Sequence, residues 1–305
     1  MKLSGHDSIM EGVKNLKLLK NFWLERLKLC GHSAAVSSGA WSPDGSKIAS
    51  ASNDNTLIIW NAQTGEAEKT LKGHTSYVCC VTWCPEGTKI VSGSRDNTLI
   101  IWNAQTGEAE KTLKGHSNWV QSVSWCPEGS KIVSASYDNT LIVWDSQTGS
   151  AQNTLKGHNA CVNSGSWNQD GSKIISASDD KTLIVWNAQT CQAETTLKGH
   201  TAGVNSGTWN EDGSKIVSGS GDNTLIVWNA QSGEVENTLR GHTEAVLSAS
   251  WKQDGSKIVS ASEDQSLIVW NAQTGEPENT LDGTMSCSAK SEKVSPSCNF
   301  PVLLF

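Results

Sequence analysis

The stretch GHSNWVQSVSWCPEGSKIVSASYDNTLIVWDSQTGSAQNTLK, residues 115–156, is one of six copies of a 42-residue unit that follow one another over residues 31–282. Sixteen of the 42 positions are identical in all six copies, including the opening Gly-His and two Trp positions. A fixed period of this length indicates a repeat architecture, because one unit cannot bury its apolar face alone and must stack on its neighbours. The function of the chain must therefore be sought on the repeats.

Each unit is predicted to form four short antiparallel strands separated by turns. In the third copy, turn residues such as Pro127, Gly129 and Gly149 interrupt runs of β-branched and aromatic side chains. The predicted strands are marked by Val120, Val123 and Trp125, and then by residues 131–136, 140–144 and 152–156. Four strands with a polar last strand, and no helical periodicity, are typical of a propeller blade.

The motifs of the unit resemble those of the WD-repeat β-propeller family. Each copy has Gly-His near its start and a Ser-x-Ser-x-Asp stretch, the first copy has a Ser-Pro-Asp-Gly turn over Ser42–Gly45, and the third ends its third strand on Trp144-Asp145. The other five copies carry Asn in place of this Asp, which keeps an acceptor and loses the charge. The resemblance implies an all-β propeller of six regular blades, with a possible degenerate seventh blade that closes the ring.

The resemblance also implies a hydrogen-bonded network of His, Ser, Asp and Trp inside each blade. Residue by residue, these four side chains are His32, Ser50, Asp54 and Trp60; His74, Ser92, Asp96 and Trp102; His116, Ser134, Asp138 and Trp144; His158, Ser176, Asp180 and Trp186; His200, Ser218, Asp222 and Trp228; and His242, Ser260, Asp264 and Trp270.

A Ser, a His and an Asp in every unit also suggest a catalytic triad, but six copies of one trio indicate a structural device that is used once per blade. The six histidines lie in different blades, and this spacing argues against a shared metal site. The sequence therefore predicts no catalytic residue, no metal and no cofactor.

Three columns of the repeat are the most variable. The rim column lies between an invariant Ser and the invariant turn Asp, and the pre-valine and post-valine columns flank the valine of the first strand. The rim column reads Asn53, Arg95, Tyr137, Asp179, Gly221 and Glu263; the pre-valine column Ala35, Tyr77, Trp119, Cys161, Gly203 and Ala245; and the post-valine column Ser37, Cys79, Gln121, Asn163, Asn205 and Leu247.

All three columns are predicted to surround the central opening on one face, which we call the top face. Strand direction alternates within a blade, and side chains two residues apart in a strand point to the same side. The variation could instead reflect neutral drift at exposed turns. However, the exposed position after the turn Asp is Asn in four of six copies, so exposure alone does not explain the pattern. A recognition surface is therefore favoured, with its centre at Arg95, Tyr137, Tyr77 and Trp119, to which Asp179, Glu263, Asn53, Gln121, Asn163 and Asn205 are added.

The two ends of the chain differ from the repeats. Residues 1–30 contain apolar side chains at helical spacing, from Val13 to Leu27, and end in a stretch that aligns with the outer strand of the other copies. Such a helix suits a membrane surface, a partner or a cover on the propeller. Residues 283–305 carry no repeat motif and are predicted to be an irregular tail or a part of the closing blade.

Composition excludes several classes of partner. The chain has 31 acidic and 24 basic residues, and no Lys/Arg cluster lies within the repeats, which argues against nucleic acid. No apolar run is long enough to span a bilayer. Nine Cys residues show neither disulfide nor metal-ligand spacing, and we expect a cytosolic or nuclear location.

The sequence thus predicts a non-catalytic scaffold that binds a partner protein or peptide on the top face. One alternative is a recognition or sensor module of a larger signalling or defence assembly. Another is a propeller enzyme with acidic residues in its channel, but Asp179 and Glu263 belong to copies that are not neighbours.

Overall fold

The computed structural model of the chain describes residues 29–282. The predicted N-terminal helix and the tail over residues 283–305 lie outside the described residues, as does most of the predicted closing strand. Leu29 and Cys30, at the end of that stretch, are described and belong to no strand.

Six four-stranded antiparallel sheets, one per repeat, follow one another along the chain, which confirms the predicted architecture. We call these sheets blades 1–6. The first strands are β1 (Val36–Trp41), β5 (Val78–Trp83), β9 (Val120–Trp125), β13 (Val162–Trp167), β17 (Val204–Trp209) and β21 (Val246–Trp251). The second strands are β2 (Lys47–Ser52), β6 (Lys89–Ser94), β10 (Lys131–Ser136), β14 (Lys173–Ser178), β18 (Lys215–Ser220) and β22 (Lys257–Ser262). The third strands are β3 (Thr56–Asn61), β7 (Thr98–Asn103), β11 (Thr140–Asp145), β15 (Thr182–Asn187), β19 (Thr224–Asn229) and β23 (Ser266–Asn271). The fourth strands are β4 (Ala67–Lys72), β8 (Ala109–Lys114), β12 (Ala151–Lys156), β16 (Ala193–Lys198), β20 (Val235–Arg240) and β24 (Pro277–Asp282).

Burial within a blade follows from its position between two neighbours. In blades 2–5 the second and third strands are buried on both faces because a blade on each side covers them, as Ile132, Val133, Leu141 and Val143 show in blade 3. The fourth strand is the outer edge, and in β12 only Leu155 is buried. Polar side chains along such an edge discourage pairing with another chain.

Neighbouring blades pack through two different faces. The trailing face of a blade presents small and aliphatic residues, such as Ala49 and Leu57 in blade 1. These residues pack against the facing side of the next blade, its leading face, which presents Val, Ile and Trp, such as Val78 and Trp102 in blade 2. Apolar clusters of this kind join blade 1 to 2, 2 to 3, 3 to 4, 4 to 5 and 5 to 6.

Among the described residues no such cluster joins blade 6 to blade 1. Val36 on the leading face of blade 1 is 47% exposed, whereas its five equivalents are 0% exposed. Trp41 is 49% exposed and Trp83 only 6%. On the trailing face of blade 6, Leu281 is 58% exposed, whereas its equivalents are at most 2% exposed. The six described blades therefore leave two apolar faces of the blade type without a neighbouring blade among residues 29–282.

The glycine of Gly-His is required by packing. A Cβ on Gly115 would lie 2.9 Å from Cη2 of Trp144, and the same close approach recurs in the other blades. Gly at this position lets the chain pass close to the indole, and the next residue, His116, meets the ring edge to face.

Candidate functional site

The predicted tetrad side chains are in contact in every blade. In blade 3, Trp144 Nε1 donates to Ser134 Oγ at 2.8 Å, Ser134 Oγ lies 2.7 Å from His116 Nε2, and His116 Nδ1 lies 2.8 Å from Asp138 Oδ2. The corresponding distances in the other five blades are between 2.7 and 2.9 Å. His116 also meets Trp144 edge to face, with 6.1 Å between ring centroids.

The turn Asp accepts hydrogen bonds at both carboxylate oxygens. Asp138 Oδ2 accepts from the backbone N–H of Ser117, and Oδ1 accepts from the backbone N–H and Oγ1 of Thr140. Burial on its own would raise the pKa of the Asp138 carboxyl, but these bonds and the bond with His116 outweigh it and hold the pKa well below its usual range. The serine is buried and all four side chains are bonded to one another, so the network ties the top turn to the blade interior.

The rim and pre-valine columns meet at one end of each blade. The backbone N–H of each rim residue donates to the carbonyl of the pre-valine residue of the same repeat at 2.9–3.0 Å, for example Tyr137 to Trp119. Every rim residue therefore lies beside its pre-valine partner on the top face.

In blades 2 and 3, four of these side chains form a continuous stack. The guanidinium carbon of Arg95 lies 4.2 Å from the ring centroid of Trp119 and 5.2 Å from that of Tyr77. Trp119 also stacks on Tyr137, with 5.6 Å between centroids and 29° between planes. We call Tyr77, Arg95, Trp119 and Tyr137 the aromatic stack. Tyr77 and Trp119 remain 43% and 36% exposed, which leaves a large apolar surface with a cation in it.

The post-valine column occupies the wall of the central channel. The strand register shifts at this position in all six blades, so the post-valine residue is an extra, unpaired residue in the first strand. Five of the six residues line a cavity of about 240 Å³ between the first strands: Cys79, Gln121, Asn163, Asn205 and Leu247. The expected alternation of side chains along a strand does not predict this bulge, which turns the post-valine side chains toward the channel.

Polar post-valine side chains also connect successive blades. Asn163 Nδ2 donates to the carbonyl of Val204 at 3.0 Å, and Asn205 Nδ2 donates to that of Val246 at 2.9 Å. Ser37 makes the same kind of bond to Val78. These three residues therefore have a structural role between neighbouring blades that the sequence did not indicate.

In blades 2, 3 and 4 the post-valine side chain also supports the rim side chain of its own blade. Cys79 hydrogen-bonds Arg95, Gln121 hydrogen-bonds Tyr137, and Asn163 Nδ2 donates to Asp179 Oδ1 at 2.7 Å. Burial raises the pKa of Tyr137, and the nearby charge of Asp179 adds to this effect. The rim of blades 2–4 is thus one supported arc, with Arg95 at one end and Asp179 at the other.

Blades 5, 6 and 1 carry mostly smaller side chains, and no aromatic ones, at the rim and pre-valine positions of the same face. Their rim residues are Gly221, Glu263 and Asn53, and their pre-valine residues are Gly203, Ala245 and Ala35. The structure brings together Arg95, Tyr77, Trp119, Tyr137 and Asp179, and it places Glu263 and Asn53 outside this arc. Sequence reasoning missed Cys79 as a support of Arg95, although it lies in a column that had been singled out.

Within residues 29–282 no group of three or more His, Cys, Asp or Glu side chains could hold a metal ion. The same part of the chain contains no helix long and apolar enough to cross a membrane.

The repeats match a known family model, that of the WD domain, G-beta repeat (WD40). The model matches residues 24–61, 65–103, 107–145, 149–187, 191–229 and 233–271. The chain belongs to the WD40 family. WD40 repeats generally mediate protein–protein interactions, and WD40 proteins are typically non-catalytic scaffolds. In this WD40 chain, each tetrad ties the top turn of its blade to the interior of the same blade, and the top face carries the variable side chains.

Proposed function

We propose that this WD40 chain is a non-catalytic platform that binds a segment of a partner protein on its top face. The aromatic stack is the observation that carries the proposal. Its four residues come from the most variable columns of the repeat, and their side chains are in contact with one another.

The chemistry of the stack suits protein recognition. Tyr, Trp and Arg are the residues that most often dominate the free energy of binding at protein interfaces. Tyr and Trp offer large rigid surfaces, and the stacked Arg95 adds a positive charge. An acidic or aromatic peptide segment matches this combination.

The test uses a random-peptide display library selected on the wild-type chain. We expect the selected peptides to lose more than about tenfold in affinity against the double variant Trp119→Ala/Arg95→Ala, because the centre of the stack is removed. The thermal midpoint of that variant should stay close to the wild-type value.

A matched control changes two exposed residues of the same blades at the opposite end, Gln105→Ala and Gln147→Ala. This control should bind the peptides as the wild type does. Unchanged affinity in the stack variant, or affinity lost only together with stability, would show that the stack is structural and that the top face is not the binding face.

A further inference from the structure

Asp179, at the blade 4 end of the rim arc, is a positioned carboxylate without a cation beside it. Asn163 donates to its Oδ1 at 2.7 Å, and Asn163 is itself anchored to the carbonyl of Val204 in blade 5. None of the ion pairs among residues 29–282 includes Asp179, which is exposed on the top face.

Asn163 contributes a second, independent observation. Its side chain lines the channel and is only 8% exposed, yet its Oδ1 accepts no hydrogen bond from the described residues. The two bonds made by Nδ2 fix the orientation of the amide, because exchanging the two ends would place oxygen against oxygen. A buried acceptor without a donor is unfavourable, so this atom calls for an N–H or O–H that the described chain does not supply.

Gly203 supplies the space for this arrangement. A Cβ at position 203 would lie 2.8 Å from Asp179 Oδ1, so a larger residue would displace the carboxylate. Tyr77, Trp119 and Cys161 occupy the equivalent place in blades 2–4, and only blade 5 leaves it empty of a side chain.

We infer that Asp179 and Asn163 form a subsite for a basic side chain of the bound segment. The carboxylate supplies the negative charge, and Asn163 Oδ1 supplies a second acceptor at the channel wall. A guanidinium, with several donors in one plane, can serve both acceptors at once. The inference rests on the top face being the binding face. It also gives the bound segment a direction: its basic residue lies at blade 4, and its acidic or aromatic part lies at the aromatic stack.

The experiment follows the side-chain amide signals of Asn163 by NMR while Nα-acetyl-arginine amide is titrated into the full chain. The neutral isostere Nα-acetyl-citrulline amide is the matched probe. We expect a saturable shift with the arginine probe and at least a fivefold smaller response with citrulline. Asp179→Asn should weaken the response to arginine by at least fivefold.

Glu244→Gln is the control variant, since it removes the same charge from the same face at a blade whose post-valine residue is Leu247. It should respond to arginine as the wild type does. An equal response to citrulline, or a response that Asp179→Asn leaves unchanged, would overturn the subsite. If the subsite fails while Trp119→Ala/Arg95→Ala still weakens peptide binding, the proposed function stands; if only the arginine response survives, the function fails and the subsite remains.

Discussion

The buried histidines of blades 4 and 5 each sit between two partners that favour the neutral imidazole. In blade 4, Trp186 Nε1 is only a donor, so Ser176 Oγ accepts from it and can donate its own hydrogen to Nε2 of His158. The Nδ1–H of His158 then donates to Asp180, whose oxygens are all acceptors. A neutral imidazole satisfies every member of this chain. A second proton, on Nε2, would leave the Ser176 hydrogen with only the carbonyl of Ile184, at 3.4 Å.

This arrangement predicts that the protein loses stability in two stages as the pH falls. Burial lowers the pKa of His158 and His200 below 6.5 and outweighs the opposing effect of their Asp partners. The unfolded chain therefore takes up these protons first, and stability decreases as the pH drops below about 6.5. The six turn Asp carboxyls have pKa values below 3.8, with Asp222 at about 2, so their contribution is lost only below about pH 4.

Thermal midpoints between pH 8 and pH 3 provide the measurement. The double variant His158→Gln/His200→Gln is the control, and it should lack the upper stage while it keeps the lower one. A midpoint that rises as the pH falls from 7 to 5 would contradict the neutral assignment of these two histidines.

At the scale of one element, the hairpin between the second and third strands has a demanding backbone. Its three-residue loop ends on a residue with positive φ, which is 68° at Asn139 and 71° at Lys181. A type I turn followed by a left-handed residue is a common three-residue hairpin loop, and Asn tolerates the left-handed region better than Lys does. Four copies have Asn at this position, and copy four has Lys181.

We therefore expect Lys181→Asn to stabilise the chain by about 0.5–1 kcal/mol. The reverse change at the equivalent position, Asn139→Lys, should destabilise it by a similar amount. Both residues lie in top-face turns outside the three variable columns, so peptide binding should stay constant. The midpoint of urea unfolding measures both variants, and shifts of the same sign in the two would refute the backbone explanation.

The strands and turns of a blade could be predicted from sequence because strand period, turn residues and the repeat all agree. One pairing within the blade could not. In five blades the Asn that ends the third strand donates to a Glu of the fourth strand at 2.9–3.2 Å. In blade 3 Asp145 accepts instead from Gln152 at 3.3 Å, so donor and acceptor have exchanged places. Both changes are visible in the sequence, but only the fold shows that the two residues touch.

The same limit applies to the top face. Variation among the copies pointed to the three columns, and the loop geometry explains why the rim and pre-valine residues lie together. The role of Asn163 depended on a bulge and on a bond to blade 5, and neither has a signature in a sequence whose strands otherwise alternate regularly.

At the scale of the whole molecule, the faces of blades 1 and 6 that lack a neighbouring blade among residues 29–282 have no counterpart in the sequence. The repeats of these two blades carry the same apolar residues as the inner ones. The sequence therefore gives no sign that residues such as Val36 and Leu281 are exposed while their equivalents in blades 2–5 are buried. In repeat folds each unit is stabilised mainly by its neighbours, and a blade with one neighbour should be less stable than a blade with two. Blades 1 and 6 are therefore expected to open first.

A matched pair of substitutions tests this expectation. Val36 and Val120 occupy the same place in their repeats, but Val36 is exposed and Val120 is fully buried against blade 2. Val120→Ala should destabilise the chain by about 2 kcal/mol, since it removes two buried carbon groups and leaves a cavity. Val36→Ala should change the stability by no more than about 0.5 kcal/mol, because the removed methyl groups already face solvent.

The midpoints of urea unfolding of the two variants, compared with the wild type, decide the matter. Trp41→Ser provides a second measurement on the same face, because it should destabilise the chain clearly less than Trp83→Ser, whose indole is almost fully buried. Equal losses at Val36 and Val120 would mean that the leading face of blade 1 is covered in solution by a surface of the blade type. The comparison thus separates an open six-blade array from a closed ring without requiring the closing surface to be identified first.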